Sequence, residues 1–494
     1  MKNKIYSIIY LFLVLFTGCD THPINQSNPG LPSIQITISD DALDSIVNNK
    51  HYKATAFILL VDSEGDTLLY DSLDNIHTRG NNTFGPNKKA FSVKLRKKAK
   101  VLGLDKGKRY ALLANFYDES HIRNAVAFDL AREMGLEAPR YSFVSLYINA
   151  NYLGLYQITN KVEDLLDFGR NGFLIEGNSC VELPRHLTDN EKDSIIRSYD
   201  LIKTYIENCF ECDAYYDSLQ QWVDLESFAK YFLIQEITLN MDAAGPGSFY
   251  KYASNEDGWK LHAGPIWDFD KSLATSHRGF YHEWEKNEVI APLGITDSLG
   301  RAYQGLLLHS LYKREEFRDL VKTIYNNEIS AICHNYLDSG KISELIEYLK
   351  HEAKNDYLVN LSGKPFVYED ETKKVQLFLK QRIDFLDWFF NTPDNNKVCI
   401  IYYDSSFRPD GDRIAQIMLP ADTKICVPKL LEITFNSTPI PVALLYKGTD
   451  SIVSNQTLIT SEDTLELKWR KPSQKEIQLR RIKKKLRCWG IKAK

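Results

Sequence analysis

The stretch from Asp224 to Asp270 leaves the least room for alternative folds. Leu225, Phe228, Phe232 and Leu239 repeat along one helical stripe behind Asp224, whose carboxylate suits the free amides of a first helical turn. The helix should stop near Asn240, because Gly245, Pro246 and Gly247 follow and all three interrupt helices. Phe249–Tyr252 and Trp259–Ile266 then read as a strand hairpin around Asn255-Glu-Asp-Gly258, and its second strand runs into Trp267-Asp-Phe-Asp270. Helix, loop, hairpin and second loop thus follow one another without a spacer. Both loops fall at the same end of two paired strands. Each carries an aspartate, Asp242 in the first and Asp268 in the second, 26 positions on.

Strand and helix patterns surround this unit. Ile34-Gln-Ile36-Thr-Ile38 alternates at period two, and Thr55–Leu60 and Thr67–Tyr70 are joined by the turn-forming Asp62-Ser-Glu-Gly-Asp66. The polar loop Arg79-Gly-Asn-Asn-Thr-Phe-Gly85, with Asn81 inside it, precedes a strand at Ala90–Leu95. Ser120–Met134 reads as a helix capped by Ser120 and ended by Gly135. Tyr141–Ile148, Leu153–Ile158 and Gly172–Glu176 read as strands, with Asn149-Ala-Asn151 where a hairpin turn belongs. Thr188–Trp222 and residues 300–391 are helical in pattern. After Thr392-Pro-Asp394 the stretch Lys397–Trp469 is rich in Ile, Val and Thr and suggests a small β domain without a readable motif. The 494 residues exceed one compact core, so two or three domains of α+β character are expected.

The ends carry separate signals. Lys2 and Lys4 precede an uncharged run, Ile5–Phe16, too short to span a bilayer. It ends in Phe16-Thr17-Gly18-Cys19, which resembles a bacterial lipobox. That resemblance implies a signal peptide over residues 1–19, cleavage before Cys19 and a diacylglyceryl group on its sulfur. Residues 20–31 would then tether the protein to the cell envelope, on a periplasmic or outer-membrane face. Seven further cysteines include Cys209-Phe-Glu-Cys212, a single CxxC that suits a local disulfide or two thiols better than zinc. The tail, residues 471–494, carries nine Lys or Arg from Lys475 on, which is either a solvated terminus or a contact for anionic lipid or polymer. A net charge of −4 gives no bulk basic field for nucleic acid, and nothing in the sequence sets an oligomeric state.

Phosphoryl transfer needs one carboxylate to orient or deprotonate the acceptor hydroxyl and another to hold a metal against the phosphates. Asp242 and Asp268 supply that pair; the competing reading is of turn and cap residues. Lys94, on the strand after the glycine-bearing loop, can reach phosphates, or it is one solvated lysine among Lys88, Lys89, Lys97 and Lys98. Asn115, Asp118 and Arg123 gather at a helix start, where Arg123 binds phosphate or pairs with Asp118.

The series Arg79-Gly-Asn-Asn-Thr, Lys94, Leu112-Leu-Ala-Asn-Phe-Tyr-Asp118, Arg123-Asn124, Asn149-x-x-Tyr-x-Gly-Leu-Tyr156, Asn240-x-Asp242 and Trp267-Asp-Phe-Asp270 resembles the spore coat protein H (CotH) kinase family over about residues 32–391. The resemblance implies an atypical protein-kinase-like two-lobed fold, with a β-rich N-lobe at about 32–180 and a helical C-lobe at about 181–391. The small β domain at 397–470 would follow. It implies ATP and Mg²⁺ or Mn²⁺ as cofactors and a protein Ser or Thr, or an envelope polymer, as acceptor. Position by position, Asp242 and Asp268 would be catalytic. Lys94, Arg79, Asn81, Asn115 and Arg123 would hold nucleotide, and Asp268, Asp270 and Ser248 the metal. Three positions depart from the family pattern. Ser248 stands where Asn is frequent, Asn160 where Glu often follows the Tyr-x-Gly-x-Tyr segment (Glu163 is nearby), and Phe84 where Trp is usual. The first two leave open an inactive binding or scaffold lipoprotein. No GxGxxG or P-loop motif is present.

Overall fold

The computed structural model describes residues 30–80, 84–166, 172–177, 179–183, 187–209, 212–240, 249–254, 258–274, 288–289, 305–393, 396–404, 413–420, 440–446, 451–452 and 464–470. Its first seven strands are β1 (Ser33–Thr37), β2 (Ala54–Val61), β3 (Thr67–Arg79), β4 (Ala90–Ala99), β5 (Gly107–Leu113), β6 (Tyr141–Ile148) and β7 (Asn151–Asn160). They close into a barrel in the order β1-β2-β3-β4-β5-β7-β6. The closing contact is parallel: Ser33 of β1 lies opposite Ser145 of β6. Period-two alternation sends Ile34, Ile36, Ile58, Leu60, Phe91, Val93, Leu95, Leu146 and Ile158 into the interior, where they form one core. β3 serves two partners, pairing with β2 from Thr67 to Ile76 and with β4 from Leu73 to Arg79, with an irregularity between Leu73 and Asn75.

A second core lies outside the barrel. Ala111, Phe143 and Leu155 on the outer face of β5, β6 and β7 pack with α2 (Arg123–Glu133) and the later helices. The short α1 (Asp40–Asn48) bridges β1 and β2. After β8 (Gly172–Glu176) and β9 (Ser179–Glu182) come α3 (Asp189–Asn208), α4 (Asp213–Trp222) and α5 (Leu225–Thr238), then β10 (Tyr250–Ser254) and β11 (His262–Ala263). In α5 every residue from Phe228 to Thr238 is buried apart from Lys230. Its Asp224 cap is as the sequence suggests: Ser227 N donates to Asp224 Oδ1 at 3.0 Å.

The described remainder comprises β12 (Glu288–Val289), α6 (Gly305–Tyr312), α7 (Glu315–Ile324), α8 (Ser330–Asp338), α9 (Lys341–Asn360), α10 (Tyr368–Asn391), β13 (Lys397–Asp404), β14 (Arg413–Pro420), β15 (Ile440–Tyr446) and β16 (Thr464–Arg470). A π-helical turn, Tyr325–Ile329, joins α7 to α8. The four C-terminal strands and β12 make a five-stranded sheet in the order β12-β14-β13-β16-β15. Among the described residues no helix is long and apolar enough to cross a membrane.

The architecture corrects the two-lobed, kinase-like expectation. The N-terminal strands form a closed seven-stranded barrel rather than the sheet of an open lobe. A separate sheet, β11-β10-β8-β9, pairs strands from either side of residue 180, with Leu174 opposite Tyr252. Alternation marks which face of a strand is apolar and carries no record of its neighbours. Closure depends on a pairing between β1 and β6, more than a hundred residues apart, which local pattern does not encode.

The Tyr-x-Gly-x-Tyr segment has a packing explanation. A Cβ on Gly154, whose φ is +117°, would overlap Asp356 Oδ1 of α9. That carboxylate accepts from Leu155 N at 2.8 Å and pairs with Lys88 at 2.6 Å. Lys88 Nζ also donates to Leu155 O at 2.7 Å. Tyr152 donates to Glu352 of α9 at 2.6 Å, and Tyr156 donates to Lys89 O at 2.7 Å. The segment therefore docks α9 onto the barrel.

Candidate active site

The far end of β3 and its neighbours build a polar face on the outside of the barrel. Arg79 pairs with Ala90 and His77 with Ser92 across β3–β4, and Ser92 pairs with Ala111 across β4–β5. Residues paired in this way project to the same side. Lys161 follows β7, and Glu163 lies in the 3-10 turn Val162–Asp164. From the other sheet, Glu176 ends β8 directly opposite Tyr250 of β10. Trp267 closes the group, stacked on Phe128 with ring centroids 6.2 Å apart.

Basic groups crowd this face. The Arg79 guanidinium sits 5.1 Å from the centroid of the Trp267 ring, and its Nη1 is buried without a hydrogen-bond partner among the described residues. Burial lowers the Arg79 pKa, against the opposing charges of Tyr250, Glu163, Asp268 and Glu176. Burial also lowers that of Lys161, which Glu163 opposes and nearby Arg79 reinforces. His77 is pushed down to about 4 by burial and then by Lys161, Lys53 and Arg79, so its ring is neutral at pH 7. Its Nδ1 is likewise buried without a partner. An orphaned guanidinium donor beside a desolvated lysine is what a bound anion would satisfy.

Asp268 faces this cluster from a strained backbone. Its φ is +69°, the left-handed region that side chains with a Cβ enter at a cost of about 1 kcal/mol or more. The residue is exposed between Trp267 and Phe269, which are 8% and 0% exposed. Asp270, next but one, is buried. An accessible carboxylate held in a costly conformation by buried flanks is a frequent mark of a functional position.

The other residues singled out from sequence are dispersed. Lys94 is on the same side of β4 as Ala90 but about 13 Å further along, at ~3.3 Å per residue. Its side chain is 43% exposed and pairs with Asp74 at 3.1 Å. Arg123 is fully buried, paired with Asp118 at 2.5 Å and with Glu371 at 2.9 Å. Its Nε donates to Ser272 O and Leu273 O at 3.1 and 3.3 Å, so it holds the segment after Asp270. Of the two readings open in the sequence, the structure contains the Asp118 pair. Asn115 is buried behind that segment, donating to Gln157 Oε1 at 3.2 Å. Cys19, Asn81, Asp242 and Ser248 lie outside the described residues.

Sequence reasoning did not single out His77, Lys161, Glu176 or Tyr250. The signal for Glu176 was available, since it is a carboxylate ending a strand already recognised. Lys161 and Glu163 likewise follow the Asn160 departure directly.

The family described as CotH kinase protein matches residues 76–386, from the second half of β3 into α10. Among curated proteins, the invasin CotH7 of Rhizopus delemar is 21% identical over 374 residues, covering 69% of this chain and 58% of the invasin. The chain thus spans less than two thirds of that relative's length. With the family match extending over more than half of its residues and enclosing the whole Arg79–Asp268 cluster, the chain belongs to the CotH kinase protein family.

Proposed function

We propose that the chain is a metal-dependent phosphotransferase that holds ATP between the β3–β4–β5 face and the Trp267–Asp270 segment. It passes the γ-phosphoryl group to a protein Ser or Thr hydroxyl. The observation that carries the reading is Arg79: a guanidinium whose buried Nη1 is unsatisfied, beside the desolvated Lys161 and facing the exposed Asp268. Arg79 and Lys161 bind phosphate oxygens, and Asp268 offers a carboxylate to the metal. Among the described residues no three His, Cys, Asp or Glu side chains gather into a metal cage. A single carboxylate with phosphate and water completing the shell is how Mg²⁺ is commonly held in nucleotide sites. When bound, Mg²⁺ or Mn²⁺ would supply charge neutralisation on the phosphates. Asp242, on sequence position, orients the acceptor hydroxyl. The neutral His77 and the Trp267 ring shield the phosphates from water. We further propose that Cys19 is lipidated and holds the enzyme at the cell envelope.

Calorimetry with Mg-ATP and Mn-ATP on residues 20–494, beside Asp268→Ala, tests the site. Metal-dependent binding that is lost in the variant is expected. No binding at millimolar nucleotide with either metal overturns the reading. For the anchor, Cys19→Ala is expected to move the protein from the membrane to the soluble fraction of a bacterial lysate.

A further inference from the structure

Asp268 keeps its left-handed conformation without glycine, so something must hold the peptide that follows it. Two buried asparagines touch that one peptide from opposite sides. Asn124 Oδ1 accepts from Phe269 N at 2.8 Å, and Asn240 Nδ2 donates to Asp268 O at 3.4 Å. Asn124 is 4% exposed and Asn240 2%. The Asn124 amide is itself oriented, because its Nδ2 donates to Asn115 Oδ1 at 3.3 Å, and Asn115 Nδ2 donates to Gln157 Oε1 on the barrel strand β7. Asn240 follows α5, whose Thr238 O accepts from Leu273 N at 2.8 Å. The barrel therefore reaches one edge of the Asp268–Phe269 peptide and the central helix the other.

We propose that Asn124 and Asn240 are positioning residues that clamp the Asp268–Phe269 peptide plane and thereby hold the Asp268 carboxylate toward Arg79. Rotation of that plane, which sets ψ at Asp268 and φ at Phe269, would break both hydrogen bonds at once and release the Asp268 Cα from its place. The consequence for metal rests on the phosphotransferase reading; the clamp itself does not. Asn240 also gives the Asn-x-Asp motif a second use, since the residue two positions before Asp242 grips the peptide of Asp268.

The test is residue-resolved hydrogen–deuterium exchange with calorimetry on the full chain, each variant first shown to melt cooperatively. In Asn124→Ala the Phe269 amide is expected to exchange about tenfold faster or more, as for the loss of one buried hydrogen bond. Affinity for Mn-ATP should fall by about tenfold while affinity for ATP in a metal chelator stays within about threefold. Asn124→Asp keeps the acceptor and should keep Phe269 protected; it decides the question if the alanine variant does not fold. Asn240→Ala should act in the same direction. Unchanged Phe269 exchange in folded Asn124→Ala overturns the clamp, as do equal losses with and without metal. Should the unmodified chain bind no metal–nucleotide, the phosphotransferase reading fails, and the exchange arm still decides whether the clamp exists.

Discussion

At the scale of single residues the candidate site depends on charges that burial makes costly. Arg79→Met keeps much of the stacking volume over Trp267 and removes the unsatisfied guanidinium. It is expected to weaken ATP binding about tenfold or more by calorimetry, with little loss of stability. An unchanged affinity would move the phosphates elsewhere. Lys251 of β10 is a buried cation of another kind. Its Nζ donates to Gly177 O at 2.7 Å and lies 4.4 Å from the centroid of the Phe249 ring. Burial, and then the charge of Lys203, lowers its pKa from 10.5 to about 7, with Glu176 opposing. Between those two values the unfolded chain binds more protons than the folded one, so stability rises with pH across that window. Below pH 7 the cost of the buried charge is present in full. Lys251→Met should flatten the slope and stabilise the protein at pH 6 by on the order of 2 kcal/mol. Urea titrations from pH 6 to 9 measure both effects. Asp268 stood out in the sequence as an aspartate between two aromatics after a hairpin, and the structure leaves it exposed and within electrostatic reach of Arg79. Lys161, although it directly follows the Asn160 departure, was not singled out, because a lysine packed against other charges has the same local pattern as one that faces water.

At the scale of elements, legibility followed the presence of a cap or an alternation. The helix expected from Ser120 starts instead at Arg123, with Ile122 at the cap position and no side-chain cap. Ser120 is engaged elsewhere, its hydroxyl donating to Asp118 Oδ1, which also receives Ser120 N at 3.0 Å. Asp118 meanwhile accepts from Arg123 N at 2.9 Å and so performs the capping task from five residues upstream. β5 escaped notice because both its faces are covered, leaving Tyr110, Ala111 and Leu112 buried in succession without alternation. Where caps are explicit, the cost of losing them is predictable. Thr188 and Glu191 form a reciprocal capping box at the start of α3. Thr188→Ala should cost about 1 kcal/mol in denaturant unfolding. Arg123→Met leaves Asp118 buried without its cation and Glu371 with Lys374 alone, and should cost about 3 kcal/mol or more. A loss below 1 kcal/mol would show that the carboxylates are neutralised by other means.

At the scale of the whole molecule, the barrel and the helical part are joined by buried polar contacts. Lys88 lies in the stretch before β4 and its partner Asp356 in α9, with side chains 1% and 2% exposed. Gly154→Ala, which forces Asp356 aside at a φ hostile to any side chain with a Cβ, should destabilise the entire chain by about 3 kcal/mol. A single shifted unfolding transition is expected, rather than early loss of one part. Lys88 has a further consequence, one of time. Synthesis delivers the barrel strands first, and β1 must wait for β6, because Ser33 has no ladder partner on that side until Ser145 exists. Even a closed barrel would then lack the helix that docks on Lys88, whose counter-charge Asp356 arrives 268 positions later with α9. The nascent N-terminal half is therefore held short of its final stability until most of the protein has been synthesised, and its folding is coupled to the completion of the chain.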